Sequence, residues 1–149
     1  MKKTLLASLL LALAGSALAL DVGVVGGYDY SGPSNRGFSG MTIGQKFDKL
    51  GVTAGFERST VGEAQNRYSL VGSYNVGKVG AVTIVGKGGI AYLDNAVLTT
   101  GWAAQVGAGL ELPVAKKLTA IVDYRYQVGQ TRVNQFDGSS LLAGLKYSF

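Results

Sequence analysis

The fold is decided by one stretch of the sequence, SSLLAGLKYSF at residues 139–149. Every second residue of this stretch is apolar, and the series ends in two aromatic rings: Leu141, Ala143, Leu145, Tyr147 and Phe149. The intervening positions are mostly small or polar and carry one charge, Lys146. Because side chains alternate between the two faces of a strand, the pattern predicts a strand with one apolar face. In a soluble protein such a strand would invite pairing with other chains, whereas a closed membrane barrel pairs its last strand with its first.

The first nineteen residues have the layout of a bacterial secretory signal peptide. Lys2 and Lys3 precede an apolar run at residues 5–13, and a small-x-small triplet, ALA, occupies residues 17–19. The apolar run is short for a membrane-spanning helix, which needs about 20 residues. We therefore predict that residues 1–19 are cleaved and that residues 20–149 form a single exported domain.

The composition excludes several kinds of chemistry. The chain contains no Cys, which rules out disulfides and thiolate catalysis, and no His. Removal of Lys2 and Lys3 lowers the formal net charge from +5 to +3, so the basic composition does not indicate a nucleic-acid partner. No cofactor or metal motif is visible, and we expect neither group.

Alternating segments recur eight times along the chain, at residues 20–30, 37–47, 52–59, 67–76, 81–93, 101–112, 118–128 and 139–149. The second is the least regular, and its parity is compatible with a bulge near Gly40 or Gly44. Short connections at residues 48–51, 77–80 and 113–117 alternate with longer ones at residues 31–36, 60–66, 94–100 and 129–138. This asymmetry is typical of outer-membrane barrels. The predicted fold is an all-β, eight-stranded antiparallel up-and-down transmembrane barrel.

Alternation alone does not say which parity faces inward, since a soluble periplasmic barrel of the lipocalin kind has the same period. Aromatic residues of the apolar parity gather at two rims, as expected at two membrane interfaces: Tyr28, Tyr30, Phe56, Tyr68, Tyr92 and Trp102 at one, and Phe47, Tyr74, Tyr147 and Phe149 at the other. The polar parity carries five charges of each sign: Lys46, Arg67, Lys87, Arg125 and Lys146 with Asp21, Asp29, Glu57, Glu111 and Asp123. A narrow lumen requires charges to pair, so we predict that this parity faces inward. The alternative is that these charges are solvated on the outer surface of a soluble barrel.

The chain resembles the small eight-stranded outer-membrane proteins of the OmpA/OmpX type. The resemblance rests on the signal-peptide layout, the eight segments, LTAIVDYRYQ at residues 118–127 and the closing LKYSF at residues 145–149. It implies a monomer in the outer membrane, surrounded by outer-membrane lipid. It also implies that Tyr147 and Phe149 are the key positions of the signal read by the barrel-assembly machinery.

The function predicted from these features is non-enzymatic, with an envelope-structural or surface-interaction role. A narrow gated pore is the first alternative. A barrel of this size is usually filled by side chains, and we predict an ion-pair network in the lumen: Lys87, Asp123, Arg125, Glu57, Arg67, Glu111 and Lys146. Lys87, Asp123 and Arg125 are expected at its centre. A lipid-acting enzyme is the second alternative, although it would lack the imidazole base that activates hydroxyls near neutral pH.

Two smaller groups of residues leave alternatives open. Glu57 and Asp29 could form a carboxylate pair for acid–base work, or simply an interior ion pair with Arg67. Arg36, Arg132 and Phe136 fall in predicted outer loops, where they would either contact lipid headgroups or another molecule, or be solvated.

Overall fold

Eight antiparallel strands form a closed barrel in the computed structural model, which describes residues 20–31, 35–60, 65–95, 100–130 and 137–149. The strands are β1 (Leu20–Ser31), β2 (Arg36–Phe47), β3 (Leu50–Ser59), β4 (Gln65–Val79), β5 (Val82–Asn95), β6 (Thr100–Ala115), β7 (Leu118–Gly129) and β8 (Gly138–Ser148). Each strand pairs with the next, and β8 pairs with β1. The predicted fold class is confirmed. The predicted signal peptide and the loop residues Arg132 and Phe136 lie outside the described residues. Within the part of the chain that the structure describes, no helix is long and apolar enough to cross a membrane.

The last strand closes the barrel as its alternation predicts. Its pairing with β1 runs without a break from Asp21↔Ser148 to Ser31↔Gly138. Beyond the ladder, the Phe149 backbone N–H donates to the Leu20 carbonyl oxygen at 3.0 Å. Closure gives every strand two neighbours, so the barrel has no free sheet edge.

The apolar parity faces outward. Val122 and Leu145 are 46% and 45% exposed on the outer surface, whereas Glu57 and Arg125 are 3% and 9% exposed inside the barrel. A soluble barrel would reverse this arrangement, so the alternative with solvated outer charges is wrong.

Aromatic rings pair along both rims. At the loop end, the ring centroids of Tyr28 and Tyr30 lie 5.4 Å apart, and those of Tyr92 and Trp102 lie 5.2 Å apart. At the end with the short turns, the rings of Tyr147 and Phe149 pack edge-on at 5.0 Å. Such belts suit the two membrane–water interfaces.

The irregularities of the sheet lie at the turn end and not in β2. The register of β2 is continuous with both of its neighbours, so the bulge considered near Gly40 or Gly44 is absent. The register shifts instead between Asn75 and Gly77 in β4, and between Pro113 and Ala115 in β6.

Proline does not end β6, although the sequence suggested a turn there. Pro113 pairs with Thr119 of β7, but the pairing of β6 with β5 stops at Glu111. Pro113 therefore has a strand neighbour on one side only, which is the edge position where a sheet tolerates a residue without an N–H donor.

Candidate functional site: the charged lumen

A layer of buried charges crosses the half of the lumen nearer the loops. We call it the arginine layer and define it by Asp29, Glu57, Arg67, Arg125 and Ser140. Glu57 accepts hydrogen bonds from Arg67 Nη1 at 2.7 Å and from Arg125 Nη1 and Nη2 at 2.9 Å each. Asp29 accepts from Arg67 Nη2 at 2.7 Å and from the Ser140 hydroxyl at 2.5 Å. The two carboxylates and two guanidiniums balance in charge, as burial requires.

An aromatic ring lies among these groups. Phe38 is 5% exposed, and its ring centroid lies 5.5 Å from Arg67 Cζ and 5.6 Å from Arg125 Cζ. Both guanidiniums are therefore within cation–π range of one ring. The ring adds an apolar obstacle to the arginine layer, so that the lumen is blocked here by packing as well as by charge.

A second ion pair stands deeper in the barrel. Lys87 Nζ donates to both carboxylate oxygens of Asp123, at 2.7 and 2.6 Å. Gly109 lies beside this pair on β6, and a Cβ there would overlap Asp123 Oδ1 and come within 3.2 Å of Lys87 Cε. The glycine thus makes room for the pair.

The third group of charges lies toward the turn end. Lys46 Nζ and Lys146 Nζ each donate to a different carboxylate oxygen of Glu111, both at 2.5 Å. Across the seam between β1 and β8, the Ser148 hydroxyl donates to Asp21 Oδ1 at 2.5 Å. The Lys46 side chain is 39% exposed, so this group lies near the open end of the lumen.

A cavity of about 90 Å³, lined by both charged and apolar side chains, connects these groups on the turn side of the arginine layer. Its wall includes Glu57 and Arg125 at one end, Lys87 and Asp123, and Glu111, Lys46 and Lys146. A cavity of this size has room for several water molecules, and the charged groups on its wall offer them hydrogen-bond partners. The lumen therefore has a blocked loop-side half and a wettable turn-side half.

The seven residues predicted for a lumen network all point inward, but they form three separate groups. Arg125 pairs with Glu57 at 2.9 Å and approaches Asp29 at 3.9 Å, whereas Lys87 and Asp123 bind each other. Glu57 and Asp29, considered above as an acid–base pair, both bind Arg67. Both carboxylates are thus engaged by guanidinium groups, which is the arrangement of an interior ion pair.

Arg36 is not a loop residue. It is the first residue of β2, it is buried, and its Nη1 donates to Gln65 Oε1 at 3.1 Å. The placement of Arg36 in an outer loop is therefore wrong, and its side chain is not a solvated loop side chain. The sequence placed it in a loop because Pro, Ser, Asn and Gly precede it, but pairing of Asp29 with Arg36 extends the ladder to that point.

Sequence reasoning missed the apolar side chains that share the lumen with these charges. Phe38, Leu142 and Ile121 have the inward parity and are buried. Each interrupts a polar series in its strand, which is the only signal that the sequence offers. Tyr147 and Phe149, by contrast, lie outside the lumen on the turn-end rim, 42% and 68% exposed.

Comparison with solved structures places this architecture among small membrane barrels. The crystal structure of Neisserial surface protein A superposes with a TM-score of 0.67 at 14% sequence identity, over 90% of this chain and 98% of that one. The de novo designed barrel TMB2.3 gives a TM-score of 0.57 at 24% identity, over 87% and 93% of the two chains. The attachment invasion locus protein of Yersinia pestis, Ail, gives 0.54 at 14% identity, over 88% and 97%.

These likenesses establish the fold: this chain has the architecture of eight-stranded outer-membrane barrels and of designed transmembrane barrels. No protein-family model matches the sequence, and no curated protein is significantly similar to it.

Proposed function

We propose that this protein is a non-enzymatic, integral outer-membrane barrel that acts at the cell surface through the loops joining its strands, or as a structural part of the envelope. The observation that carries the proposal is the combination of a closed barrel, an apolar outer face and a lumen filled with paired charges. An apolar outer face is stable only where lipid covers it.

The proposed location follows from the same features. A barrel bounded by two aromatic belts suits a bilayer, and the signal-peptide layout of residues 1–19 supports export to the outer membrane. The proteins with similar folds include a surface protein and an attachment protein, which supports a role for the loops in contacting another molecule.

Cell fractionation combined with heat-modifiable gel migration tests the proposal. We expect the protein in the outer-membrane fraction, with an unheated band that migrates faster than the heated one because the closed barrel resists the detergent. A variant with Lys2 and Lys3 replaced by Glu is the matched control for export. Recovery of the unaltered protein in the soluble fraction, or a single mobility at both temperatures, would contradict the proposal.

A narrow pore is the second candidate, because the turn-side half of the lumen contains the cavity of about 90 Å³ with charged groups on its wall. The arginine layer and Phe38 oppose conduction through the other half. Recordings of the purified protein in planar bilayers separate the two candidates. We expect conductance near the baseline, whereas reproducible unitary steps in the unaltered protein would favour the pore.

A lipid-acting enzyme has less support. The chain has neither His nor Cys, and the buried carboxylates Glu57 and Asp29 are held by arginines. Mass spectrometry of membrane lipids with and without expression provides the test, with an unchanged lipid profile as the expected result.

Biogenesis is part of the proposal. We expect the barrel-assembly machinery to read the last strand, with Tyr147 and Phe149 as the main contacts, and the product to be a monomer in outer-membrane lipid. Both rings face outward at the end of the chain and are accessible at the rim.

A further inference from the structure

The outer surface has a shallow groove near the turn end. We call it the glycine groove and define it by its floor, Gly72, Gly86 and Gly88, and its walls, which include Phe47, Leu50, Val52 and Tyr74. The groove has a volume of about 520 Å³ and runs over strands β3, β4 and β5. Its walls are apolar or aromatic side chains that are exposed on the outer face.

Strand register places the three glycines side by side. One row across the sheet reads Val52, Gly72, Gly88 and Val106, and the next row toward the turns reads Leu50, Tyr74, Gly86 and Ala108. The backbone is therefore bare over adjacent positions of two strands, while larger side chains stand on either side. This is a local depression in a surface that is otherwise covered by side chains.

The fold does not require glycine at these positions. A Cβ on Gly72, Gly86 or Gly88 would meet its nearest atom at 3.6, 3.6 or 3.9 Å, which is ordinary contact. The inward glycines differ, since a Cβ on Gly89 or Gly107 would overlap a carbonyl oxygen of the neighbouring strand. Glycine inside a strand weakens it, and one common reason for its presence is the close approach of a ligand to the backbone.

Positive charge is concentrated at the turn-end rim of the barrel, which includes the end of the groove. Lys49 lies in the turn directly before Leu50, and its carbonyl oxygen accepts a hydrogen bond from Asn75 N at 2.8 Å, beside Tyr74. The other short turns add exposed lysines to this rim: Lys78, Lys116 and Lys117. Asp48 is the one acidic residue in these turns. An apolar groove with a cation at its interfacial end matches the two parts of an anionic lipid.

We infer that the glycine groove binds one anionic glycerophospholipid of the inner leaflet, with an acyl chain on Gly72, Gly86 and Gly88 and the phosphate beside Lys49. The inference rests on the proposed function, because it requires the barrel to stand in a membrane with its short turns toward the periplasm. It adds a specific lipid partner to that proposal.

A second copy of the chain fits the groove less well. Two copies in one membrane share the same orientation, so a two-fold axis between them would lie along the membrane normal. Equivalent residues of the two copies would then lie at the same depth in the membrane. Contact through the glycine groove would then bring Asp48, Lys49 and Lys78 of the two copies to the same depth at the rim, and these three residues give each copy a net positive charge that repels the other. A lipid phosphate instead supplies the opposite charge.

The test uses one tryptophan as a reporter. Trp102 is the single tryptophan, so Trp102→Phe with Tyr74→Trp leaves one indole in the groove wall. We call this double variant the groove reporter. The full chain is expressed, purified from membranes and placed in phosphatidylcholine vesicles that contain either brominated phosphatidylglycerol or brominated phosphatidylcholine. Bromine quenches only a nearby indole, and we expect phosphatidylglycerol to bind about fivefold better at this site, as expected for one interfacial lysine.

Two further substitutions in the groove reporter assign the preference to the groove. Gly88→Leu fills the floor, and Lys49→Gln removes the charge, so each should lower the ratio of binding between the two lipids toward 1. The matched control probe is Tyr147→Trp with Trp102→Phe, at the same rim. Lys117 Nζ lies 5.9 Å from the ring centroid of Tyr147, so this position also has a lysine nearby. Its neighbours across the sheet are Val22 and Leu118, whereas the groove has glycine at such positions. Gly88→Leu should leave the ratio at this control unchanged.

The outcomes separate the inference from the proposed function. Equal quenching of the groove reporter by the two lipids, or a preference that survives Gly88→Leu, overturns the lipid site while heat-modifiable migration still supports the membrane barrel. A cross-linked dimer that Gly88→Leu abolishes would assign the groove to a second copy and also overturns it. Failure of the protein to enter vesicles as a closed barrel would overturn both.

Discussion

Replacing Glu57 tests the idea that charge balance holds the arginine layer together. Glu57→Gln keeps the shape of the side chain but removes one of two negative charges facing Arg67 and Arg125. Arg67 retains Asp29 at 2.7 Å, whereas the remaining carboxylate beside Arg125 is that of Asp29, at 3.9 Å. Arg125 thus becomes a buried cation without a close counter-ion.

The size of the effect follows from this geometry. Breaking a buried ion pair by removing one partner costs about 3–5 kcal/mol, because the other charge stays buried and uncompensated. Lys46→Gln is the matched control: the Lys46 side chain is 39% exposed and Glu111 keeps Lys146 at 2.5 Å, so the loss should be about 1 kcal/mol. The measurement is the free energy of unfolding in lipid vesicles with guanidinium, followed by Trp102 fluorescence and gel mobility.

A double variant provides the sharper test. Glu57→Gln with Arg125→Gln restores the balance between Asp29 and Arg67. The combined loss should therefore be smaller than the sum of the two single losses, by roughly 1–3 kcal/mol. Strict additivity, or a Glu57→Gln loss no larger than that of Lys46→Gln, would refute the reasoning.

Four further outcomes are expected. Arg125→Ala removes a member of the arginine layer and should raise conductance in planar bilayers above that of the unaltered protein; unchanged recordings would mean that packing alone closes the lumen. Val122→Arg puts a charge on the outer face and should lower the free energy of unfolding in vesicles by about 2–4 kcal/mol. Val122→Leu is the control and should be nearly neutral. Equal stability of the Arg variant and the unaltered protein would place Val122 away from lipid. Gly89→Ala should destabilise the barrel by about 1–3 kcal/mol in the same assay, because the added Cβ meets a backbone carbonyl. Gly88→Ala is the control and should be neutral or slightly stabilising. The reverse order would contradict the assignment of Gly89 to the inward face and Gly88 to the outward face. Phe149→Ala should slow assembly in cells, which would appear as accumulation of unfolded protein on unheated gels. Refolding of the purified variant in detergent should be unchanged. Loss of refolding would instead indicate that Phe149 has a structural role.

Alternation predicted the barrel because one physical rule governs all eight strands. Each strand needs an apolar lipid side and a small or polar lumen side, and the stretch from Leu141 to Phe149 follows the rule throughout on its lipid side. The rule determines which face of the sheet a side chain occupies, but it does not determine where a strand begins or ends. The strand termini at Arg36 and Pro113 were misjudged, because turn-forming composition was taken as the end of pairing.

The pairing of charges needed the register as well as the parity. Glu57 and Arg125 are 68 residues apart and meet across the lumen from β3 and β7, which are not neighbours in the sheet. Sequence reasoning identified both as inward charges but placed Arg125 with Lys87 and Asp123. Glycine carries even less information in sequence, since Gly88 and Gly89 are adjacent, and only the structure shows which of them has room for a side chain.

The lumen is blocked over only a short part of its length, because its charged groups differ in how they are packed and hydrated. On the turn side, Lys87 and Glu111 border a cavity that water can enter, so an ion could reach their level with little loss of hydration. At the arginine layer the same ion would meet Phe38 and four charged groups that already pair with one another, and it would have to displace a guanidinium from its carboxylate. Most of the barrier to conduction therefore lies in one layer. A change there can open the lumen without altering the outer face that holds the protein in the membrane.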